Sequence, residues 1–221
     1  MNQQNREHEK KDNQKVIEDT ELNQRIFIKI EQCLMEDQPS KALNQLSETK
    51  EFQTSAFGRL NQMKTTEQSK QHHPEGNVWI HTMMVVDEAA KVRGESRNPR
   101  VLMWAAFLHD IGKPEVTRVR KGKITAYDHD KVGAKAAEEL LNQVCDDRAF
   151  IRLVSSMVRW HMQILFIAKN LAFADLNSMK REVDIDEVAL LGMCDRLGRL
   201  GVLRNEVMED IAKFRKKAKE L

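Results

Sequence analysis

A run of apolar residues ends directly on a histidine and an aspartate. The run covers residues 101–108, and His109 and Asp110 follow it without a spacer. Asn98 and Pro99 precede it, as an N-cap residue and a first-turn proline precede a helix. Because a helix that is apolar on every face is a buried one, the pattern predicts a central helix with a His-Asp pair at its inner end. An ionised aspartate is costly to bury without a partner, and a metal cation is one such partner.

Length and composition exclude several classes of protein. With 221 residues, of which 41% are hydrophobic and 32% charged, the chain can bury a core. A net charge of +2 gives no overall attraction to nucleic acid. No apolar run approaches the roughly 20 residues of a membrane span, and the first residues lack the apolar stretch of a signal peptide. Three widely spaced cysteines without a C-x-x-C motif favour a reducing, cytoplasmic compartment and argue against a thiolate zinc cluster.

Helical patterns fill most of the chain and divide it into two predicted parts. Residues 1–70 are predicted to form an N-terminal helical appendage, whose first residues, to about residue 20, are polar enough to be flexible or a frayed, solvated helix. Residues 64–77 are polar and contain proline and glycine, which predicts a loop. Residues 71–221 are predicted to form the second domain, ending in an amphipathic helix. The helices of the first third are expected to serve as a dimer surface or as a cover for the core.

One short β-hairpin is the expected exception to the helices. Residues 116–120 and 124–127 alternate around a glycine-centred turn, so the predicted fold class is all-α with one hairpin at about 116–127. Its basic side chains are Arg118, Arg120, Lys121 and Lys123. They could form a lip that attracts anions beside a binding site. A charged solvent face is the simpler explanation, because runs of charge commonly serve solvation.

Several histidines and aspartates occur in apolar sequence surroundings. They are His81, His109, Asp110, His129, His161 and Asp195. Imidazole and carboxylate together suit divalent ions such as Mn, Fe, Co, Ni or Zn. Four of these ligands would hold one ion, and all of them could hold two with Asp110 as the bridge. Any one of them alone is more often a satisfied core or surface residue, but the whole set, with its adjacent His-Asp pair, favours a metal site.

The order of these residues resembles the signature of a known family. His81, then His109-Asp110, then Asp195 is similar to the H…HD…D signature of the HD-domain metal-dependent phosphohydrolases. The blocks HHPEG-x-VW-x-HT-x-x-V-x-D-x-A and LHDIGKP resemble the C-terminal HD domain of bacterial tRNA nucleotidyltransferases, over roughly residues 72–200. The nucleotidyltransferase head, with its Gly-Ser pair and paired catalytic aspartates, has no counterpart here. CCA addition therefore does not carry over, and a stand-alone HD protein is expected.

The resemblance implies an all-α HD-domain bundle around a metal site. The implied ligands of a first ion are His81, His109, Asp110 and Asp195. In members with two ions, further histidines complete a second site, and His129 and His161 fit that pattern. Asp110 and Lys113 are the implied catalytic residues. Lys113 resembles a lysine that meets a substrate phosphate, and Arg118 is a second candidate contact to substrate; without the family, a solvated lysine at a helix end explains Lys113 equally well.

The implied function is a divalent-metal-dependent phosphohydrolase, either a phosphodiesterase or a phosphatase. One or two ions of Mn, Fe, Co, Ni, Zn or Mg would activate a water for attack on the phosphorus of a nucleotide, a cyclic nucleotide or an RNA-end phosphate. With a single ion, His129 or His161 could instead act as general acid or phosphate contact. The alternatives are a non-catalytic regulatory module and an RNA-processing accessory module. The expected partners are a phosphorylated small molecule or an RNA end, with no membrane, and a homodimer is an expected option.

Overall fold

The computed structural model of the chain describes residues 3–220, with side chains described from residue 14. Its α-helices are α1 Gln3–Leu34, α2 Pro39–Ser47, α3 Lys50–Thr54, α4 Gln62–Thr65, α5 Val78–Val92, α6 Pro99–Leu108, α7 Lys113–Val116, α8 His129–Leu141, α9 Arg148–Trp160, α10 Gln163–Ala168, α11 Leu176–Glu182, α12 Ile185–Leu197 and α13 Arg204–Glu220. Short 3-10 helices cover Ala56–Asn61 and Arg93–Glu95, and the strands are β1 Arg118–Arg120 and β2 Lys123–Thr125. The predicted all-α fold with one short hairpin is confirmed.

The hairpin pairs its two strands in an antiparallel register. Arg118 lies opposite Thr125, and Arg120 lies opposite Lys123. Lys121 and Gly122 between them both have positive φ, at 51° and 74°. Positive φ at both central residues is the requirement of a two-residue turn whose twist matches that of the strands. Gly122 meets this requirement without a steric cost, because glycine has no Cβ.

Helix α6 is the buried centre of the fold, as its sequence predicts. Every residue from Val101 to Leu108 is buried. The Asn98 side chain accepts a hydrogen bond from Val101 N at 3.2 Å, and Pro99 occupies the first turn. Helix α6 packs against α1, α5, α9 and α12. The cap fixes where the helix starts. His109 and Asp110 follow its C-terminal end and lie in the interior of the bundle.

The first third of the chain packs into the same buried cluster as the rest. Trp104 of α6 stacks on Phe27 of α1 at a centroid distance of 4.9 Å, and Phe57 lies 6.0 Å from it. Buried apolar residues form one cluster that includes both Ile26 and Phe214. The division of the chain at residues 70 and 71 stays a prediction, since the core runs across it.

The N-terminal helix extends past the part that packs. Residues 14–20 are exposed, whereas Ile26, Phe27 and Ile30 are buried. A polar sequence followed by an apolar stripe explains this, because only the stripe has a surface to bury. Residues 1 and 2, and the side chains up to residue 13, for which flexibility was predicted, lie outside the described residues. Within the described range, no helix has the length and apolar character that crossing a membrane requires.

Candidate metal centre

Five elements of the bundle bring all of the predicted ligands to one buried place. Helix α5 carries His81 and α12 carries Asp195, while His129 begins α8. His109 ends α6 and His161 ends α9 as C-cap residues. All of these side chains, and that of Asp110, are buried. Residues that are distant in sequence therefore share one interior site.

Asp110 lies between two pairs of imidazoles. Its Oδ2 is 3.2 Å from His109 Nε2 and 3.8 Å from His81 Nε2. Its Oδ1 is 3.4 Å from His129 Nε2 and 3.9 Å from His161 Nε2. Each carboxylate oxygen thus has two ring nitrogens beside it, and two sets of ligand atoms, each spanning less than 4.8 Å, share Asp110. Residues on both sides of Asp110 could therefore hold a divalent ion together with it.

Backbone carbonyls orient three of the four imidazoles in the same way. In each case the ring Nδ1 lies at hydrogen-bond distance from the carbonyl oxygen of the residue three positions earlier. The pairs are His109 with Ala106 at 2.8 Å, His129 with Ala126 at 2.8 Å, and His161 with Val158 at 2.7 Å. Because a carbonyl can only accept, Nδ1 carries a proton, and in the neutral ring Nε2 therefore keeps its lone pair. Histidines that bind metals are commonly fixed by such an outer hydrogen bond.

Several buried polar atoms at this place have no regular hydrogen bond. Among the described residues, none donates or accepts one with His109 Nε2, Asp110 Oδ1 or Asp110 Oδ2. The Lys113 ammonium lies 2.6 Å from Asp110 Oδ2, but not in the direction of a regular hydrogen bond. Buried polar groups are normally satisfied, and a divalent cation would satisfy these atoms together. The residues present therefore fit a metal site.

The electrostatics favour the metal-binding forms of His161, His129 and Asp110, but not that of His109. Burial acts to lower the pKa of His109, but Asp110 outweighs it and raises that pKa. Burial lowers the pKa of His161 to about 3 and also lowers the pKa of His129, so both rings are neutral. Burial acts to raise the pKa of Asp110, but His109 and Lys113 outweigh it and hold that pKa well below its usual range. Metal binding needs neutral imidazole and ionised carboxylate.

An arginine that the sequence analysis did not single out holds Asp195. Arg199 Nη2 lies 2.8 Å from Asp195 Oδ1 and 2.9 Å from Oδ2. His81 Nε2 approaches the same Oδ1 to 3.0 Å. Burial would raise the pKa of Asp195, but Arg199 and His81 keep it well below the usual range. The only sequence signal for Arg199 is its position four residues after the predicted ligand.

The loop of residues 66–77 supplies further residues that the sequence analysis missed. Gln68 accepts a hydrogen bond from Lys113 Nζ at 2.7 Å. Glu75 Oε1 lies 2.8 Å from His73 Nδ1 and 2.9 Å from His81 Nδ1. The neighbouring His72 is exposed and lines the cavity beside the site, whereas His73 contacts Glu75. The HHPEG block, which was already part of the family resemblance, was the sequence signal that could have pointed to His73 and Glu75.

A cavity of about 610 Å³ opens above the ligands. Its charged lining consists of three acidic side chains, Glu67, Asp110 and Asp195, and four basic ones, Lys113, Lys169, Arg196 and Arg199. Its apolar wall includes Leu165, Leu171 and Leu200. The volume lies within the range of small-molecule sites. A cavity with cationic side chains and one apolar wall suits a phosphorylated organic compound.

The structure does not bring Arg118 to this cavity. Its guanidinium is exposed and donates to the carbonyls of Glu115 and Thr117, each at 2.8 Å. The hairpin contributes Ile124 and Thr125 to the cavity wall instead. A substrate contact by Arg118 stays a prediction, and its guanidinium is held by the neighbouring backbone.

Gly112→Ala is expected to lower the free energy of unfolding by about 1–3 kcal/mol, as overpacking does, and to weaken metal binding. A Cβ at this position would lie 2.3 Å from His129 O and 2.5 Å from Gly133 N, so the start of α8 must move. Urea denaturation of metal-free protein and a Zn²⁺ titration measure the two effects. The control is Gly94→Ala, where a Cβ meets nothing within 4 Å. Equal unfolding midpoints for the two variants would contradict the prediction.

Comparison with known proteins agrees with this geometry. The family model for the HD domain matches residues 78–200, which include all of the predicted ligands. The chain is similar to the Multifunctional CCA protein of Actinobacillus pleuropneumoniae serotype 5b (strain L20), with 29% identity over 122 residues, or 55% of this chain and 29% of that protein. Proteins of the same name from Methylococcus capsulatus and Alkalilimnicola ehrlichii are 25% and 24% identical, covering 82% and 85% of this chain but 38% and 46% of themselves. The chain thus spans less than half the length of these relatives.

Proposed function

Because the chain belongs to the HD-domain family, a family of metal-dependent phosphohydrolases, we propose that it hydrolyses a phosphate ester of a nucleotide, a cyclic nucleotide or an RNA end. One observation carries this proposal. The Asp110 carboxylate stands between two pairs of buried imidazoles and lines a cavity that also carries four basic side chains. Phosphoryl transfer needs charge neutralisation and a positioned nucleophile more than it needs covalent chemistry from the protein.

The proposed ligands divide into two sets around Asp110. His81, His109 and Asp195 would hold one ion with it, and His129 and His161 would hold the other. Suitable ions are Mn, Fe, Co, Ni, Zn or Mg, as one ion or two. When bound, such ions polarise a phosphoryl oxygen and lower the pKa of a water molecule towards neutrality.

The chain's own cations would bind and orient the substrate. Lys113 lies between Asp110 and Gln68, at 2.6 and 2.7 Å, so its ammonium is held at the edge of the ligand set. From there it would neutralise charge on the phosphate as the transition state forms. Lys169, which also lines the cavity, would attract the anion, whereas Arg196 is paired there with Asp210 at 2.7 Å. The leucine wall would contact the organic part of the substrate.

Elemental analysis and a turnover assay test the proposal together. Bound metal is measured first, and then hydrolysis of bis(p-nitrophenyl) phosphate and of 2′,3′-cyclic nucleotides with Mn, Ni, Co and Mg. We expect bound divalent metal and metal-dependent turnover. Absence of both would refute the enzyme and favour a regulatory HD module. Tight RNA binding that falls steeply with salt, without turnover, would favour the accessory module.

Lys113→Met is expected to lower kcat/KM by about 10²–10³-fold, the usual cost of removing one group that stabilises transition-state charge. Metal affinity should be unchanged or higher, because Asp110 loses a competing cation. Zn²⁺ titration and the assay above separate the two effects. The control is Lys135→Met, whose side chain is 79% exposed on α8. A loss of metal from Lys113→Met, or unchanged kcat/KM, would contradict the role given to Lys113.

A further inference from the structure

Glu75 lies at a junction between the loop and two helices of the site. Its side chain is 1% exposed, and its Oε1 approaches both His73 Nδ1 and His81 Nδ1. Its Oε2 accepts a hydrogen bond of 3.4 Å from the backbone N–H of Leu200, just beyond the end of α12. Among the ion pairs of the described residues, those of Glu75 involve histidines and no lysine or arginine. A buried carboxylate with only imidazoles as ionic partners is an unusual feature.

His81 differs from the other three imidazoles in what faces its Nδ1. Those three each have a backbone carbonyl three residues earlier, but His81 lies in the first turn of α5 and has no such contact among the described hydrogen bonds. Glu75 Oε1 takes the place of the carbonyl at 2.9 Å, although the contact is not aligned as a regular hydrogen bond.

A second carboxylate faces the opposite nitrogen of the same ring. Asp195 Oδ1 lies 3.0 Å from His81 Nε2. A neutral imidazole has a single N–H, so the two carboxylates compete for it. Only the tautomer with the proton on Nδ1 leaves a lone pair on Nε2. Both carboxylates have other partners, but those of Glu75 are His73 and the backbone N–H of Leu200, whereas Arg199 donates to both oxygens of Asp195. Because the guanidinium is charged, it weakens Asp195 as a competitor more than the partners of Glu75 weaken that carboxylate.

We propose that Glu75 is a positioning residue that holds the His81 proton on Nδ1, so that Nε2 is free to bind an ion. Glu75 would act through His81 and would not touch the ion or the substrate. The inference rests on the proposed metal site and assigns it an outer residue from the loop of residues 66–77. Arg199 contributes to the same effect, because its ion pair with Asp195 makes Asp195 a weaker acceptor for the His81 proton.

The test uses the whole 221-residue chain with Glu75→Ala, and Glu75→Gln is the variant that keeps the packing. The protonation of His81 is followed in metal-free protein at pH 8.5 by long-range ¹H–¹⁵N spectra, and the His81 signal is the one lost in His81→Asn. Zn²⁺ affinity is measured by competition with a chromophoric chelator. The control is Glu115→Ala, an exposed glutamate that makes the same charge change.

We expect the wild-type protein to carry the proton on Nδ1 and Glu75→Ala to carry it on Nε2, facing Asp195. Zn²⁺ affinity should fall about 10–100-fold in Glu75→Ala, as for other outer ligands, and less in Glu75→Gln. The same protonation pattern in the wild type and in both folded variants, or equal affinities, would overturn the inference. A wild-type protein that binds none of Zn, Mn, Ni, Co and Mg would refute the proposed function, while the comparison of protonation patterns would still decide the role of Glu75.

Discussion

Asp110→Asn is expected to abolish binding of two ions and to lower kcat/KM by about 10³-fold or more, which is at least 4 kcal/mol of transition-state stabilisation. The reason is geometric. Both oxygens of Asp110 face imidazole nitrogens, so both proposed ions depend on this one carboxylate. An amide can offer only one oxygen and no charge. Metal content by elemental analysis and hydrolysis of bis(p-nitrophenyl) phosphate measure the result.

The control for this variant is Asp146→Asn, which makes the same chemical change at an exposed aspartate. It should keep full metal content and activity. Circular dichroism of both variants checks that the bundle is folded. Full metal content in folded Asp110→Asn would remove Asp110 from the centre of the site and contradict the ligand assignment.

Trp104→Ala is expected to lower the free energy of unfolding by about 3–5 kcal/mol, the usual cost of truncating a buried large aromatic residue. The Trp104 ring is 1% exposed and has Phe27, Phe57 and Phe150 around it, at centroid distances of 4.9, 6.0 and 6.1 Å. These neighbours come from the first third of the chain and from α9. The truncation would therefore leave an empty space between the predicted appendage and the HD domain. Urea unfolding of metal-free protein measures the loss.

The unfolding curve of this variant also tests whether the two predicted parts fold together. One transition that shifts as a whole would show a single cooperative unit. Tyr127→Ala is the control, since its side chain is 66% exposed and its loss should change stability by about 0.5 kcal/mol or less. A curve with two transitions, of which only one moves, would show that the first third folds by itself.

Much of the fold could be predicted from local patterns. The apolar run, with its asparagine cap and proline, predicted α6 correctly because these signals all lie within the helix and the two residues at its start. The glycine-centred turn predicted the hairpin for the same reason, since the conformation of a tight turn is decided by two residues. The sequence could not show that Trp104 packs on Phe27, because periodicity gives the buried face of a helix but not its partner.

The candidate site could be predicted only for residues that stand out against an apolar background. His81, His109 and Asp195 are polar residues in apolar stretches of the sequence, and the structure brings them together. Arg199 has no such contrast, because it is one of 36 basic residues in a charged chain. Gln68 and Glu75 lie in a polar loop, where polar residues are the rule. Their roles depend on how that loop folds back over α5, which is a long-range contact without a local signature.

The carbonyl-to-imidazole contacts at His109 and His161 have a consequence for protein design. Each ring caps its own helix and, through the same hydrogen bond, fixes which nitrogen points outward. The contact that orients each ring therefore lies within four consecutive residues. A histidine placed at the C-cap of a designed helix can make the same contact, so two such helix ends facing each other would make a simple starting point for an artificial metalloprotein.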